Sequence, residues 1–137
     1  MWYHVDPHSG VPIYVQLKEQ IKKAAASGLL RQGEQLPSVR ELALRLTVNP
    51  NTVAKVYQEL EREGVIETAR GLGTFLARRK AGYGTEQEAA LERALENLMV
   101  EAYQLSVDAD TLYDSFKQKL ATWKERLLRG DSDEDGN

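Results

Sequence analysis

The stretch Leu36 to Leu76, LPSVRELALRLTVNPNTVAKVYQELEREGVIETARGLGTFL, leaves this chain few ways to fold. Ser38 follows a proline and precedes Glu41 by three residues, so Ser38-Val-Arg-Glu41 is a capping box that opens a helix. Val39, Leu42, Ala43 and Leu46 keep the i, i+3, i+4, i+7 spacing of one buried face. Thr47 and Val48 form a turn. Asn49 then offers a second N-cap, and Pro50 takes the first helical position, where a missing N–H costs nothing. At about 100° per residue, Val53, Val56, Tyr57 and Leu60 fall on one side of this helix and Asn51, Lys55, Gln58 and Arg62 on the other. Gly64 stops it. Val65 to Thr68 and Thr74 to Leu76 read as two short strands around Arg70-Gly71-Leu72-Gly73, whose glycines allow the positive φ of a tight tip. Helix, turn, helix and hairpin in that order make a winged helix-turn-helix.

The outward face of the second helix carries amides and cations, with the methyl of Ala54 beside them. Amides pair with adenine edges, cations with guanine or phosphate, and small methyls meet thymine methyls. An arginine at a hairpin tip suits phosphate or minor-groove contact. The composition predicts double-stranded DNA as the partner. The alternative is a winged helix used only for protein contacts, which has no need of such a face.

These pieces resemble the DNA-binding domain of the GntR family of bacterial transcription regulators. The resemblance rests on Pro12-Ile13-Tyr14, Gly33 to Pro37, Ser38-Val39-Arg40-Glu41-Leu42-Ala43, Val48-Asn49-Pro50-Asn51-Thr52-Val53 and Arg70-Gly71-Leu72-Gly73-Thr74-Phe75, and it covers roughly residues 3–78. Carried over position by position, it implies DNA contacts at Ser38, Arg40, Asn49, Asn51, Thr52, Lys55, Arg70 and Gly71. Pro50 and Ala54 stand where some family members have arginines, so the resemblance does not supply an operator sequence. Only about 50 residues follow the wing, too few for the large effector domains or the aminotransferase-like domain of other branches. The short tail resembles the YtrA-like branch, which implies a homodimeric repressor of a transporter operon acting at a pseudo-palindromic operator. The sequence identifies no small-molecule effector.

The rest of the chain bears on assembly. Residues 1–80 hold 12 Lys/Arg and 8 Asp/Glu, a net of +4, and residues 81–137 hold 6 and 13, a net of −7. A basic front half and an acidic back half fit a DNA-binding module joined to a part that avoids DNA, although a merely solvated acidic helix pair has the same composition. Within the front half, Tyr3 to Val5 reads as a short strand. Pro12 opens a helix with Ile13, Leu17, Ile21 and Ala24 on its apolar stripe, Gly28 ends it, and Leu29 and Leu30 cover its end. After a linker over 79–84, Leu91, Leu95, Leu98, Ala102 and Leu105 repeat at 4-3-4-3, close to the period of a coiled-coil seam. Asp108 or Asp110 caps a last helix with Leu112, Phe116, Leu120, Trp123 and Leu127 on one face. Two such helices hold little core between them, so the apolar face needs a partner surface, and a second copy of the chain is the expected one. Tyr103, Tyr113, Phe116 and Trp123 either pack as core or line a cavity between subunits. The tail over 130–137, GDSDEDGN, is predicted to be disordered.

The expected architecture is mainly α. It comprises a winged helix-turn-helix of three helices plus a β-hairpin over 1–78, the linker, a two-helix dimerisation region over 85–129 and the acidic tail. No catalytic role, cofactor or metal is expected. His4 and His8 are the only histidines, and with Asp6 they make at most a weak site. Asp108, Asp110 and Asp114 are better read as capping and dipole charges than as paired catalytic acids, and Gly71-Leu-Gly73 lacks the rest of a nucleotide-binding fingerprint. No apolar run approaches membrane-spanning length, the N-terminus does not read as a secretory signal, and the absence of cysteine fits a cytoplasmic protein.

Overall fold

The structure, a computed structural model, describes residues 3–79 and 84–135, the last eight by their backbone alone. Its elements are α1 (Ile13–Ser27), α2 (Val39–Leu46), α3 (Pro50–Arg62), β1 (Ile66–Ala69), β2 (Gly73–Leu76), α4 (Thr85–Gln104) and α5 (Ala109–Asp135). They fall into two units. One holds α1 to α3, the hairpin and the end of α5 from Arg126, and the other holds α4 with α5 as far as Glu125.

Helix α3 is the centre of the first unit and packs on α1, α2 and β1. Val53, Val56 and Leu60 are fully buried on it, against Leu17 and Ile21 of α1, Leu42 of α2, and Leu30, Leu36, Ile66 and Leu76 from the connections and the hairpin. Burying side chains of this size, at about 1.5–3 kcal/mol each, is what holds so small a domain together. Both expected N-caps form, but of the capping box at Ser38 only the Ser38 half is made, and the Glu41 carboxylate lies 3.8 Å from Arg45 instead. Ser38 Oγ accepts the Glu41 amide at 3.1 Å and Asn49 Oδ1 accepts the Asn51 amide at 2.9 Å. Thr47 closes α2 in the left-handed region, at φ 57°. The Tyr57 hydroxyl donates to the Pro37 carbonyl at 2.7 Å and ties α3 to the start of α2. Burial raises the pKa of this phenol well above its ordinary value.

Three expectations need correction here. Tyr3 to Val5 is not a strand: the His4 and Asp6 amides donate to the side-chain carbonyls of Gln20 and Gln16, so no strand edge is needed to satisfy them. Gln16 Nε2 in turn donates to the carbonyls of Asp6 and Val11 and holds the segment as a loop over α1. At the other end of α1, Leu30 is buried but Leu29 is exposed, so only Leu30 covers the helix end. The hairpin strands are Ile66–Ala69 and Gly73–Leu76, not Val65 to Thr68 and Thr74 to Leu76: the Val65 amide is spent on the Leu60 carbonyl at the end of α3, and pairing runs on to Ala69 opposite Gly73. A feature not anticipated is an antiparallel bridge between Gln35 and Phe75. It lays residues 34–36 along β2 through Leu36 N to Thr74 O and Leu76 N to Glu34 O, both 2.8 Å.

Acidic residues crowd the last turns of α3, and lysines of α1 meet them. Lys18 Nζ lies 3.1 Å from Glu59 and 3.0 Å from Glu63, and Lys22 Nζ lies 2.9 Å from Glu63. Hydrogen bonds from Lys22 and then Lys18 hold the Glu63 carboxyl below its ordinary pKa. A depressed carboxylate pKa contributes stability that is present above the unfolded-state value and is lost as pH falls through the folded one. Glu63 is well exposed, so Glu63→Gln should cost less than about 1 kcal/mol at neutral pH. The gap from wild type should close in urea melts run below the lowered pKa, and a gap that persisted there would mean that the carboxylate's charge is not its source.

In the second unit, the Gly84 amide donates to Gln87 Oε1 at 3.1 Å at the start of α4. Asp108 is the cap of α5: its Oδ1 accepts the Thr111 amide at 2.7 Å, which lowers its pKa. Along α4, Leu91, Leu95 and Met99 are exposed, as is Leu105 just past its end, Leu98 is half-buried and Ala102 is buried. On α5, Phe116 and Trp123 are exposed, and Leu112 and Leu120 are half-buried. The backbone of α5 stays helical to Asp135, into the tail expected to be disordered, since extending a formed helix adds a hydrogen bond for each residue fixed. Most of the linker expected over 79–84, and the last two residues of the tail, lie outside the described residues. Among the described residues, no helix is long and apolar enough to cross a membrane.

Candidate nucleic-acid interface

The residues singled out in the first unit sit at three places that the fold sets around α3. Ser38 and Arg40 stand at the start of α2, exposed, on the rim of an open groove shared with Tyr3, Pro37, Leu44 and Arg45. Asn49, Asn51, Thr52 and Lys55 occupy the first turns of α3. Arg70 and Gly71 form the tip of the hairpin, with Gly71 at φ 80°.

The division of α3 matches its sequence. Asn51, Lys55, Gln58 and Arg62 are exposed, opposite Val53, Val56, Tyr57 and Leu60, which are buried, while Thr52 and Ala54 lie half-buried between the two faces. The exposed face offers an amide, an ammonium, a second amide and a guanidinium along about three turns. This is a donor-rich strip of the chemistry that reads base edges in a major groove. The acids of α3 do not interrupt it at the reading end, because Glu59 and Glu63 lie near the other end and turn to the lysines of α1. The Asn49 carbonyl oxygen is committed to its cap, which leaves the amide group of that side chain as the outward donor.

Three contributors to this surface carry no clear sequence signal. The Lys55 ammonium is not simply solvated: it lies over the ring of Tyr14, 4.9 Å from the centroid, which ties the outward face of α3 to α1 through a cation–π contact. Tyr14 was visible only as part of the resemblance, with no physical role attached. Arg45 donates to the Tyr3 hydroxyl at 2.8 Å and lies 3.8 Å from Glu41. The Tyr3 hydroxyl, followed by Glu41, raises the guanidinium pKa further, so the cation at the end of α2 is fixed in place as well as charged. Gln35 Nε2 donates to the Leu72 carbonyl in the wing at 3.1 Å. His4 and His8 are exposed, and among the described residues no group of three or more His, Cys, Asp or Glu is placed to hold a metal ion.

Known proteins share this fold. The profile of the bacterial regulatory proteins, gntR family, matches residues 13–76. The chain is 40% identical over 121 residues to the HTH-type transcriptional repressor YtrA of Bacillus subtilis (strain 168), covering 88% of this chain and 93% of that protein. Among solved structures, it is similar to a transcriptional antiterminator from Listeria monocytogenes EGD-e. The TM-score there is 0.69 at 32% identity, over 91% of this chain and 92% of that one. It is also similar to YtrA from Sulfolobus acidocaldarius, a GntR-family transcription factor, with a TM-score of 0.54 at 28% identity, over 87% of this chain and 97% of that one.

Proposed function

This chain belongs to the gntR family of bacterial regulatory proteins, in its YtrA-like branch, as a DNA-binding transcription regulator and not an enzyme, and we propose that it acts as a homodimeric repressor at a pseudo-palindromic operator. The observation that carries the DNA reading is the two-sided α3, fully buried on one face and lined with Asn51, Lys55, Gln58 and Arg62 on the other. In this proposal α3 enters the major groove and Asn51, Thr52 and Lys55 meet base edges. Arg40, Ser38 and Asn49 hold the phosphates beside it, and Arg70 with Gly71 reaches the next stretch of backbone or the minor groove.

Dimerisation is assigned to the second unit. Exposed Leu91, Leu95, Leu105, Phe116 and Trp123, with half-buried Leu98, Leu112 and Leu120 beside them and buried Ala102 beneath, make an apolar surface much of which a lone chain leaves in water. A second copy would bury it and place two α3 helices for two half-sites. A repressor role and a transporter operon as target follow from the likeness to the YtrA branch, and a cytoplasmic location follows from binding DNA.

The test is a gel shift of the full chain on genomic fragments over a range of salt. A shift that weakens steeply as salt rises is expected. No shift even at low salt would favour the protein-contact alternative for this winged helix.

A further inference from the structure

The wing is held by a residue outside it. Gln35 lies on the segment bridged to β2 through Phe75, so its backbone belongs to the same small sheet as the hairpin. Its side chain crosses the hairpin at Gly73 and donates to the Leu72 carbonyl at 3.1 Å. Gly73 leaves this route open: a Cβ there would stand 2.6 Å from Gln35 Nε2 and would push the amide off its present path. The Leu72 amide is also engaged, donating to the Ala69 carbonyl at 2.9 Å. Leu72 is therefore fixed at both backbone polar groups, and Arg70 and Gly71 are the two residues bracketed between Ala69 and that fixed point.

We propose that Gln35 is the positioning residue of the wing, whose amide, reaching through the gap at Gly73, holds the tip in the conformation that presents Arg70 and Gly71 to DNA. The proposal rests on the reading of the wing as a DNA contact. A two-stranded hairpin is marginal on its own and twists easily, so a tip that must meet a phosphate needs a third point of support. The pinned residue's side chain, Leu72, remains 72% exposed. Gln35 thus does not serve to bury the tip; it constrains the tip's backbone. The bond is exposed, so it adds little to global stability, and its value lies in orientation paid before DNA arrives.

Gln35→Met keeps the length of the side chain and removes the donor. The first readout is trypsin cleavage after Arg70 in the free full-length protein. Losing one hydrogen bond should raise that rate about five-fold, with the far-UV spectrum and melting temperature unchanged. The second readout is affinity for a 30-base-pair duplex of mixed sequence at low salt. Gln35→Met should weaken binding and flatten its salt dependence about as much as Arg70→Ala does, and the double variant should be scarcely worse than either single one. A merely structural residue would not reproduce the salt slope of Arg70→Ala. An unchanged cleavage rate would overturn the proposal, and so would losses that add in the double variant. If Arg70→Ala leaves binding intact while Gln35→Met still speeds cleavage, the wing contact in the functional reading falls and the positioning role falls with it. If the wild type binds no duplex at all, the DNA reading itself has failed, and the cleavage result then describes only the hairpin.

Discussion

Leu91→Glu combined with Leu95→Glu is expected to convert the protein to a monomer and to weaken operator binding by roughly 10²–10⁴-fold, the range by which linking two binding modules exceeds either alone. Both leucines are exposed on α4, so the substitutions open no cavity. Glutamate is nearly as good a helix former as leucine, and α4 itself should persist. What changes is the face offered to a partner copy: two buried like charges from each chain would oppose one another in a symmetric seam. The winged unit keeps all its contacts, because its core, from Leu17 to Leu76, is made within that unit. The variant should keep its helical spectrum, sediment as a monomer and bind a half-site as well as wild type. A variant that still sediments as a dimer would move the interface away from this part of α4.

The second large effect separates affinity from discrimination. A wild-type operator would first be selected from a pool of random duplexes. Arg40 stands at the start of α2, which in the proposed docking is the helix that crosses the DNA backbone. Arg40→Ala should weaken operator and scrambled DNA alike and flatten log K against log salt by about 0.9 per subunit. Asn51 faces outward on the first turn of α3. Asn51→Ala should cost about 1–3 kcal/mol per half-site on the operator, roughly doubled in a dimer, and little on scrambled DNA. Its own backbone amide is the one that Asn49 caps, and alanine retains that amide, so the helix start is preserved. Equal losses on both DNAs for Asn51→Ala would mean that α3 does not read bases, and the wing would then become the main reader.

The DNA-binding unit was legible in the sequence because its signals are local. Ser38, Asn49 and Pro50 mark helix starts through contacts within three residues, and the apolar spacing on α2 and α3 states which side is buried before any partner is known. What escaped depends on pairs far apart in the chain. Gln35 and Leu72, Tyr14 and Lys55, Tyr3 and Arg45, and Lys18 and Glu63 meet across 37 to 45 residues or so in the fold, and neither period nor capping reports on such distances. The strand expected at Tyr3 failed for a related reason: β propensity is a statement about having a neighbour, and here two glutamines from α1 take the neighbour's place. In the second unit, the helices could be read from their spacing, but a single chain's spacing does not name what covers their apolar sides, and the second copy proposed above is the surface to test.

The two faces of α3 also bear on how such a regulator changes over generations. Val53, Val56 and Leu60 have no exposure at all, while Asn51, Lys55 and Gln58 stand in solvent one step away along the same helix. In the proposed docking, mutations at the second set alter which sequence is preferred and leave the first set untouched, so they escape the usual penalty that a new binding preference exacts from foldedness. A duplicated gene could drift toward a different promoter one residue at a time, each intermediate still a folded protein. Lys55 is the exception among the three, because its ammonium is shared with Tyr14, and a change there would have to be accommodated on α1 as well. Evolutionary divergence among relatives should therefore run freely at positions 51 and 58 and in correlated pairs at 14 and 55.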